Sequence, residues 1–281
     1  MTAPPGVEEL LADLDDERAA VMALVRELPR QDWARPTRAV PWTVRDQVAH
    51  LGWFDGAFAR AISTPEAFEA ERDAITDLEG FVDAANAQVP AVGPAALAYW
   101  QDAAAAFDRA ARACDPSSRL PWFGPAMSLR SAITSRIMET WAHGADVADA
   151  LGVRLAPTDR LRHVADLAVR ARAQGYRVRG LDVPETPVRV ELTGPSGAVW
   201  TWGGVSGGPS QTSSVRTGEH ADGATRPNAI TGDVEQFCLV LVRRRHVDDT
   251  DLVVTGDAAR EWMLLGQAFA GTPGVDPVRA R

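Results

Sequence analysis

From Val7 to Leu151 the apolar residues of this chain return at helical spacing in long stretches cut by Pro, Gly, Asp and Ser, and near Ala156-Pro157-Thr158-Asp159 that rhythm stops. A period of 3.6 residues lines apolar side chains along one stripe of a helix, and several such stripes must bury one another. The first part is therefore predicted to be all helical. A first helix runs from about Val7 to Leu28, a second from Thr43 to Ile62, a third within Ala67 to Asn86, a fourth from Pro94 to Cys114 and a fifth from Ser128 to Leu151. Thr43 is the expected N-cap of the second and Gly152 the stop of the fifth. Helices of this length joined by shortish loops pack most simply as an up-and-down bundle.

After Asp159 the pattern changes. A helix over Asp159 to Gln174 leads to VRVELTG (Val188 to Gly194) and AVWTWGG (Ala198 to Gly204), two β-type runs joined by Pro195-Ser196-Gly197 that read as a hairpin. A polar, Gly- and Ser-rich stretch, Val205 to Asn228, precedes a helix over Asp233 to Arg245, a strand over Leu252 to Thr255 and a helix over Asp257 to Ala270. The expected fold class is two-domain α+β, with a helical bundle over residues 1–156 and a smaller α+β domain over residues 157–281. GGVSGGPS, Gly203 to Ser210, has neither the spacing nor the ending of a phosphate loop and reads as a flexible linker or lid.

Charge and composition narrow the function classes. A net charge of −9 carries no basic stripe for nucleic acid, and the longest purely apolar run, Phe237 to Val242, is far too short to span a bilayer. The N-terminal segment is acidic and amphipathic rather than basic and then apolar, so the expected location is the cytoplasm. Cys114 and Cys238 lie in unrelated segments and read as core or near-core thiols. Nothing in the sequence argues for a particular oligomer.

The chemistry concentrates in IMETWAHGADVADALG, Ile137 to Gly152, where Glu139 and His143 stand four apart. That spacing puts both on one helix face, one above the other. His50, in WTVRDQVAHLGWF on the second helix, sits between an apolar stripe and the polar flank and is the natural third member. Two imidazoles and a carboxylate make a three-ligand site for zinc or a similar divalent ion, with one position open. The same spacing equally describes a solvated Glu–His pair beside a hydrogen-bonded core histidine. Trp53 and Trp141 neighbour these residues and read chiefly as core filling. Asp46 and Asp146 lie one turn from His50 and His143, where a carboxylate can orient an imidazole. His163, His220 and His246 read as surface residues.

WTVRDQVAHLGWFD (Trp42 to Asp55) and RIMETWAHGADVADALG (Arg136 to Gly152) resemble the paired motifs of the DinB-like metalloprotein superfamily, in particular the mycothiol-dependent maleylpyruvate isomerase family. ITGDVEQFCLVLVRRRHVDDTDLVVTGDAAREWM, Ile230 to Met263, is similar to the C-terminal part of an actinobacterial branch of it. The resemblance implies a DinB-like four-helix bundle carrying a His, Glu, His metal triad, closed by a sterol-carrier-like α+β domain. Carried over by residue, the metal ligands are His50, Glu139 and His143.

The resemblance further implies a metal-dependent enzyme, an isomerase or S-transferase that uses mycothiol, a low-molecular-weight thiol, on a small electrophilic substrate in secondary-metabolite tailoring or detoxification. A divalent cation, zinc in the expected case, stabilises a thiolate whose free pKa is about 8.5. Addition of that thiolate to an activated double bond permits rotation, and elimination returns the trans product. The family's isomerase has an arginine from its C-terminal domain near the metal. The match here falls on Arg243 or Arg244 in LVRRRHVDD, with Arg260 a weaker candidate, and a guanidinium fork suits a carboxylate or enolate. Basic residues in a last helical turn also simply favour the helix dipole. Two other readings remain open: a non-catalytic carrier of an apolar ligand with a structural metal, and a thiol-independent metalloenzyme whose metal polarises a carbonyl.

Overall fold

The computed structural model describes residues 5–203, 227–269, 271, 273–274 and 277. His220 and residues 204–210 of the segment read as a linker or lid lie outside them. The chain divides into two compact units, Met1–Leu167 with Phe269–Gly271, and Ala168–Ala268 with Thr272–Arg281.

The first unit contains helices α1 (Val7–Val25), α2 (Val44–Ser63), α3 (Pro65–Asp73), α4 (Leu78–Gln88) and α5 (Gly93–Ala113), a two-stranded ribbon of β1 (Arg119–Leu120) and β2 (Met127–Ser128), and helix α6 (Leu129–Leu151). The four long helices α1, α2, α5 and α6 form the bundle. Its core is built from their apolar stripes, among them Leu11, Leu14, Val21, Val48, Leu51, Trp100, Phe107, Ile133 and Ile137, all sealed from solvent. Helix α2 opens on a capping box in which the Asp46 carboxylate accepts from the backbone N–H and the hydroxyl of Thr43. Helix α6 begins with Ser128 Oγ accepting from Ser131 N–H and stops at Gly152, whose φ is 67°.

The bundle departs from a plain up-and-down order. Helix α1 packs on α5 and α6, and α2 packs on α5 and α6, so the ring runs α1, α6, α2, α5. The connections α1 to α2 and α5 to α6 therefore cross the bundle diagonally. Short loops force neighbouring helices together, but the first of these connections carries a 3-10 turn, Arg30–Ala34, and the second carries the β1–β2 ribbon, so each is long enough to cross. The expected third helix is two, α3 and α4. Its break falls where Asp77 turns its carboxylate back to accept from Gly80 N–H, which serves the start of a new helix better than the middle of an old one.

The second unit follows from α7 (Leu161–Arg170), which begins in the first unit, through α8 (Arg172–Arg177), β3 (Arg189–Thr193), β4 (Val199–Trp202), β5 (Ala229–Asp233), α9 (Val234–Leu241), β6 (Val253–Thr255) and α10 (Asp257–Leu265). The expected helix over Asp159 to Gln174 is thus interrupted at Ala171. The sheet order is β4-β3-β5-β6. β3 and β4 form the expected antiparallel hairpin, with Gly197 at φ 84° in its turn, while β5 runs parallel to β3 and antiparallel to β6. Val190, Leu192 and Ile230 face the buried side. The sequence pattern does not predict strand β5: AITGD has one large apolar residue and a glycine, and its pairing comes from strands on both sides. Among the described residues, no helix is long and apolar enough to cross a membrane.

Candidate metal centre

Helices α2 and α6 pack side by side, and that contact brings His50 to Glu139 and His143. One donor atom from each lies within 4.8 Å of the others. His143 Nε2 is 3.0 Å from Glu139 Oε2, and His50 Nε2 is 3.6 Å from the same oxygen. Donors around a tetrahedral zinc at its usual bond lengths stand about 3.3 Å apart, so these separations bracket what such an ion requires. Both imidazoles are buried, whereas the Glu139 side chain keeps about a quarter of its surface open, 24%.

The surroundings set the protonation of two of the donors, His50 and Glu139. Burial, the neighbouring His143 and the Arg136 guanidinium push His50 down from 6.5 to about 4, against the pull of Glu139, so at neutral pH its imidazole is uncharged. Burial alone would raise the Glu139 carboxyl, but His143 and His50 outweigh it and hold the group well below its ordinary range. The second nitrogen of His50, Nδ1, is buried with no hydrogen-bond partner among the described residues. Trp42 and Phe54 wall the site. The Trp42 ring centroid is 5.0 Å from that of His50 and 5.8 Å from that of His143, and Phe54 is 4.5 Å from His50. Two imidazoles and one ionised carboxylate, converging through Nε2, Nε2 and Oε2, are a donor set that fits a divalent cation.

His143 is oriented by a residue that the sequence alone does not single out. Its Nδ1 lies 2.5 Å from Oε1 of the fully buried Gln47, whose Nε2 donates to Thr37 Oγ1 at 2.8 Å. Asp146 Oδ2 is 3.9 Å from the same Nδ1, outside hydrogen-bond reach, and Asp46 is engaged in capping α2. Neither carboxylate therefore takes the orienting role expected of it. Gln47 stands one turn before His50 on α2, and that i−3 spacing is the only sign of it in the sequence.

A second feature is equally silent in the sequence. Behind the donors, Asp55 of α2 accepts from Arg136 Nε at 2.7 Å and from Trp100 Nε1 at 3.0 Å, and pairs with Arg18 Nη2 at 3.1 Å. Arg18 also reaches Asp108 at 2.8 Å. Residues of α1, α2, α5 and α6 thus meet in one buried polar network, and Arg136 lies one turn before Glu139.

Trp53 and Trp141 are buried, as core filling requires, and Trp53 packs edge-on against Phe54 and Phe81. His163 pairs with Asp13 at 2.7 Å, and His246 Nδ1 accepts from Asp248 N–H at 3.1 Å. Cys238 is buried and Cys114 partly so. Arg243 and Arg244 lie in the second unit. They are not in the last turn of α9, which closes at Leu241, but just past it. Arg243 takes φ 62° and donates through Nη1 to the Leu264 carbonyl, and Arg244 donates to the Val242 carbonyl. Arg260 pairs with Asp248.

The fold and site together define a two-unit protein whose helical bundle offers a His, Glu, His donor set between two of its helices. The chain belongs to the mycothiol-dependent maleylpyruvate isomerase family. Residues 14–148 match the family described as the mycothiol maleylpyruvate isomerase N-terminal domain. Two proteins of Mycobacterium tuberculosis, from strains CDC 1551 and H37Rv and both described as uncharacterized, are each 40% identical over 274 residues, covering 97% of this chain and 98% of theirs. Two crystal structures of the mycothiol-dependent maleylpyruvate isomerase share the fold at 16% identity. One, of a mutant in which a histidine is replaced by alanine, aligns with a TM-score of 0.57 over 91% of this chain and 95% of its own. The other aligns with 0.53 over 87% and 92%.

Proposed function

We propose that this protein is a metal-dependent enzyme that uses mycothiol to isomerise, or to transfer a thiol-borne group on, a small electrophilic substrate. The observation that carries the reading is the convergence of His50 Nε2, Glu139 Oε2 and His143 Nε2 between α2 and α6. These three residues would hold the divalent ion, zinc in the simplest case. When bound, such an ion supplies positive charge that favours a thiolate over a thiol at neutral pH.

The chain's own groups support that chemistry. Glu139 contributes the site's fixed negative charge, and His50, neutral at physiological pH, has a lone pair to give without first losing a proton. Trp42 and Phe54 keep water from the buried imidazoles and offer π faces to an unsaturated substrate. For an anionic substrate, Arg243 and Arg244 are the proposed guanidinium partners, in keeping with the family resemblance of Leu241 to Asp249. Membership of a mycothiol-dependent isomerase family supports the choice of thiol. The high identity to the M. tuberculosis proteins, set against 16% to the isomerase, leaves maleylpyruvate as one candidate substrate among electrophiles.

The test is turnover of a panel of electrophiles, maleylpyruvate included, with mycothiol and zinc supplied or withheld separately. The reading requires product only when both are present. Turnover with zinc alone would identify a thiol-independent metalloenzyme. No turnover, together with a zinc site closed to added thiol, would identify a carrier with a structural metal.

A further inference from the structure

Thr37, Gln47 and His143 form one hydrogen-bonded line whose direction is fixed at its far end. The Trp42 carbonyl oxygen has no proton to give, and it accepts from the Thr37 hydroxyl at 2.9 Å. With its proton committed there, the Thr37 oxygen accepts from Gln47 Nε2 at 2.8 Å. An amide that donates through nitrogen on one side presents its oxygen on the other, and Gln47 Oε1 faces His143 Nδ1 at 2.5 Å. An amide oxygen only accepts, so the imidazole proton belongs on Nδ1. Turning the amide over would draw the Thr37 hydroxyl away from the Trp42 carbonyl.

We propose that Gln47 is a positioning residue that locks His143 in the Nδ1–H form, with Thr37 as its anchor, so that the lone pair of Nε2 is aimed into the metal centre. This deepens the metal reading above and rests on it. One further observation points the same way. His143 Nε2 stands 3.0 Å from Glu139 Oε2 and His50 Nε2 3.6 Å from the same oxygen, so the ring nitrogen that Gln47 leaves free is the one that faces the other two donors. Gln47 has no solvent exposure, so water does not substitute for its oxygen, and Asp146 stands too far from Nδ1 to replace it. The role falls to a neutral amide, which orients the ring without pulling its proton away.

Two measurements test this. The first is the side-chain ¹⁵N correlation spectrum of the metal-free protein, with His143 assigned by its absence in His143→Ala. A proton is expected on Nδ1, and an unprotonated Nδ1 would overturn the proposal whether or not metal binds. The second is zinc affinity. Gln47→Leu, with helix content unchanged by circular dichroism, is expected to bind zinc about 10–100-fold more weakly, and Gln47→Glu, which keeps an acceptor facing Nδ1, to recover most of the loss. Wild-type zinc affinity in a folded Gln47→Leu would reject the relay while leaving the metal centre standing. If the wild type itself takes no zinc, the metal reading fails and the spectrum still decides the tautomer. Should Gln47→Leu not fold, the position of the proton in the wild-type spectrum decides the proposal by itself.

Discussion

The guanidinium of Arg136 sits 2.7 Å from the carboxylate of Asp55, both sealed from solvent, one helical turn from Glu139. Asp55 also holds Arg18 and Trp100, so this one carboxylate serves three donors from three helices. Burial would raise its pKa, but Arg18 and Arg136 outweigh burial and hold it below the ordinary range. Removing it takes the carboxylate from the buried Arg136 guanidinium and one of the carboxylates from Arg18, which keeps Asp15 and Asp108. Asp55→Ala is expected to lose about 3–5 kcal/mol in urea unfolding at neutral pH, a loss in the range measured when one partner of a buried pair is deleted. A loss under about 1 kcal/mol would show that the network contributes little to holding the bundle together.

Gly144 follows His143 and lies where α6 meets α1. A Cβ there would come within 2.4 Å of Val21 Cγ2, itself fully buried. Gly144→Ala is expected to cost about 1–3 kcal/mol by overpacking, and Val21→Ala in the same chain to return part of it. A double-mutant cycle in chemical denaturation measures the coupling, and strict additivity would mean that the two residues do not compete for space.

Much of this architecture is legible in the residues. The ends of α1, α2, α5 and α6 fall within a few residues of the expected ones, because long amphipathic helices with a cap such as Thr43 or a stop such as Gly152 carry their own boundaries. His50, Glu139 and His143 can be named from i,i+4 spacing joined to the family resemblance, and their meeting follows from α2 packing on α6. What stays hidden depends on contacts between distant segments. Gln47 is a neutral polar residue in an apolar stripe, without a chemical signature until His143 arrives beside it. Arg18, Asp55 and Arg136 read as ordinary charged positions because no spacing relates them. Strand β5 is made by its two neighbours rather than by its own pattern. The three arginines after Leu241 read as helix because LVRRR has no breaker.

Arg243 illustrates that last point. Its φ of 62° places it in the left-handed region, and the N–H groups of Arg243 and Arg244 bond the Val240 and Leu239 carbonyls, the pattern that ends many helices on glycine. Arg243→Gly relieves that backbone and is expected to stabilise the protein by up to about 1 kcal/mol in thermal or urea unfolding. If Arg243 holds an anionic group of the substrate, the same variant raises KM despite its greater stability. An unchanged KM would remove Arg243 from the proposed site.

The metal-free protein is expected to weaken on acidification. His50 is held at about 4 when folded and returns to 6.5 when exposed, so between these values the unfolded chain binds the extra proton. The contribution of His50 is constant above pH 6.5 and declines by roughly 3 kcal/mol as pH falls toward 4. Below the ordinary Glu range of about 4.5, protonation of Glu139 adds to the loss. Melting temperatures of the chelated protein across this window should fall with pH, and His50→Gln should flatten the upper part of the slope. A wild-type curve as flat as that of the variant would mean that His50 is not held neutral by its surroundings.

Plasma mass spectrometry of untagged protein shows whether His50, Glu139 and His143 hold a divalent ion. Wild type, His50→Ala and Glu139→Ala are purified alike and reconstituted with zinc. About one ion is expected per wild-type chain, as a three-ligand site with an open position holds, and little in either variant. Chelation should lower the wild-type melting temperature toward that of His50→Ala, since an ion bound only to the folded state stabilises it. A wild type that takes up no metal, or variants that retain it in full, would mean that these three residues do not hold the ion.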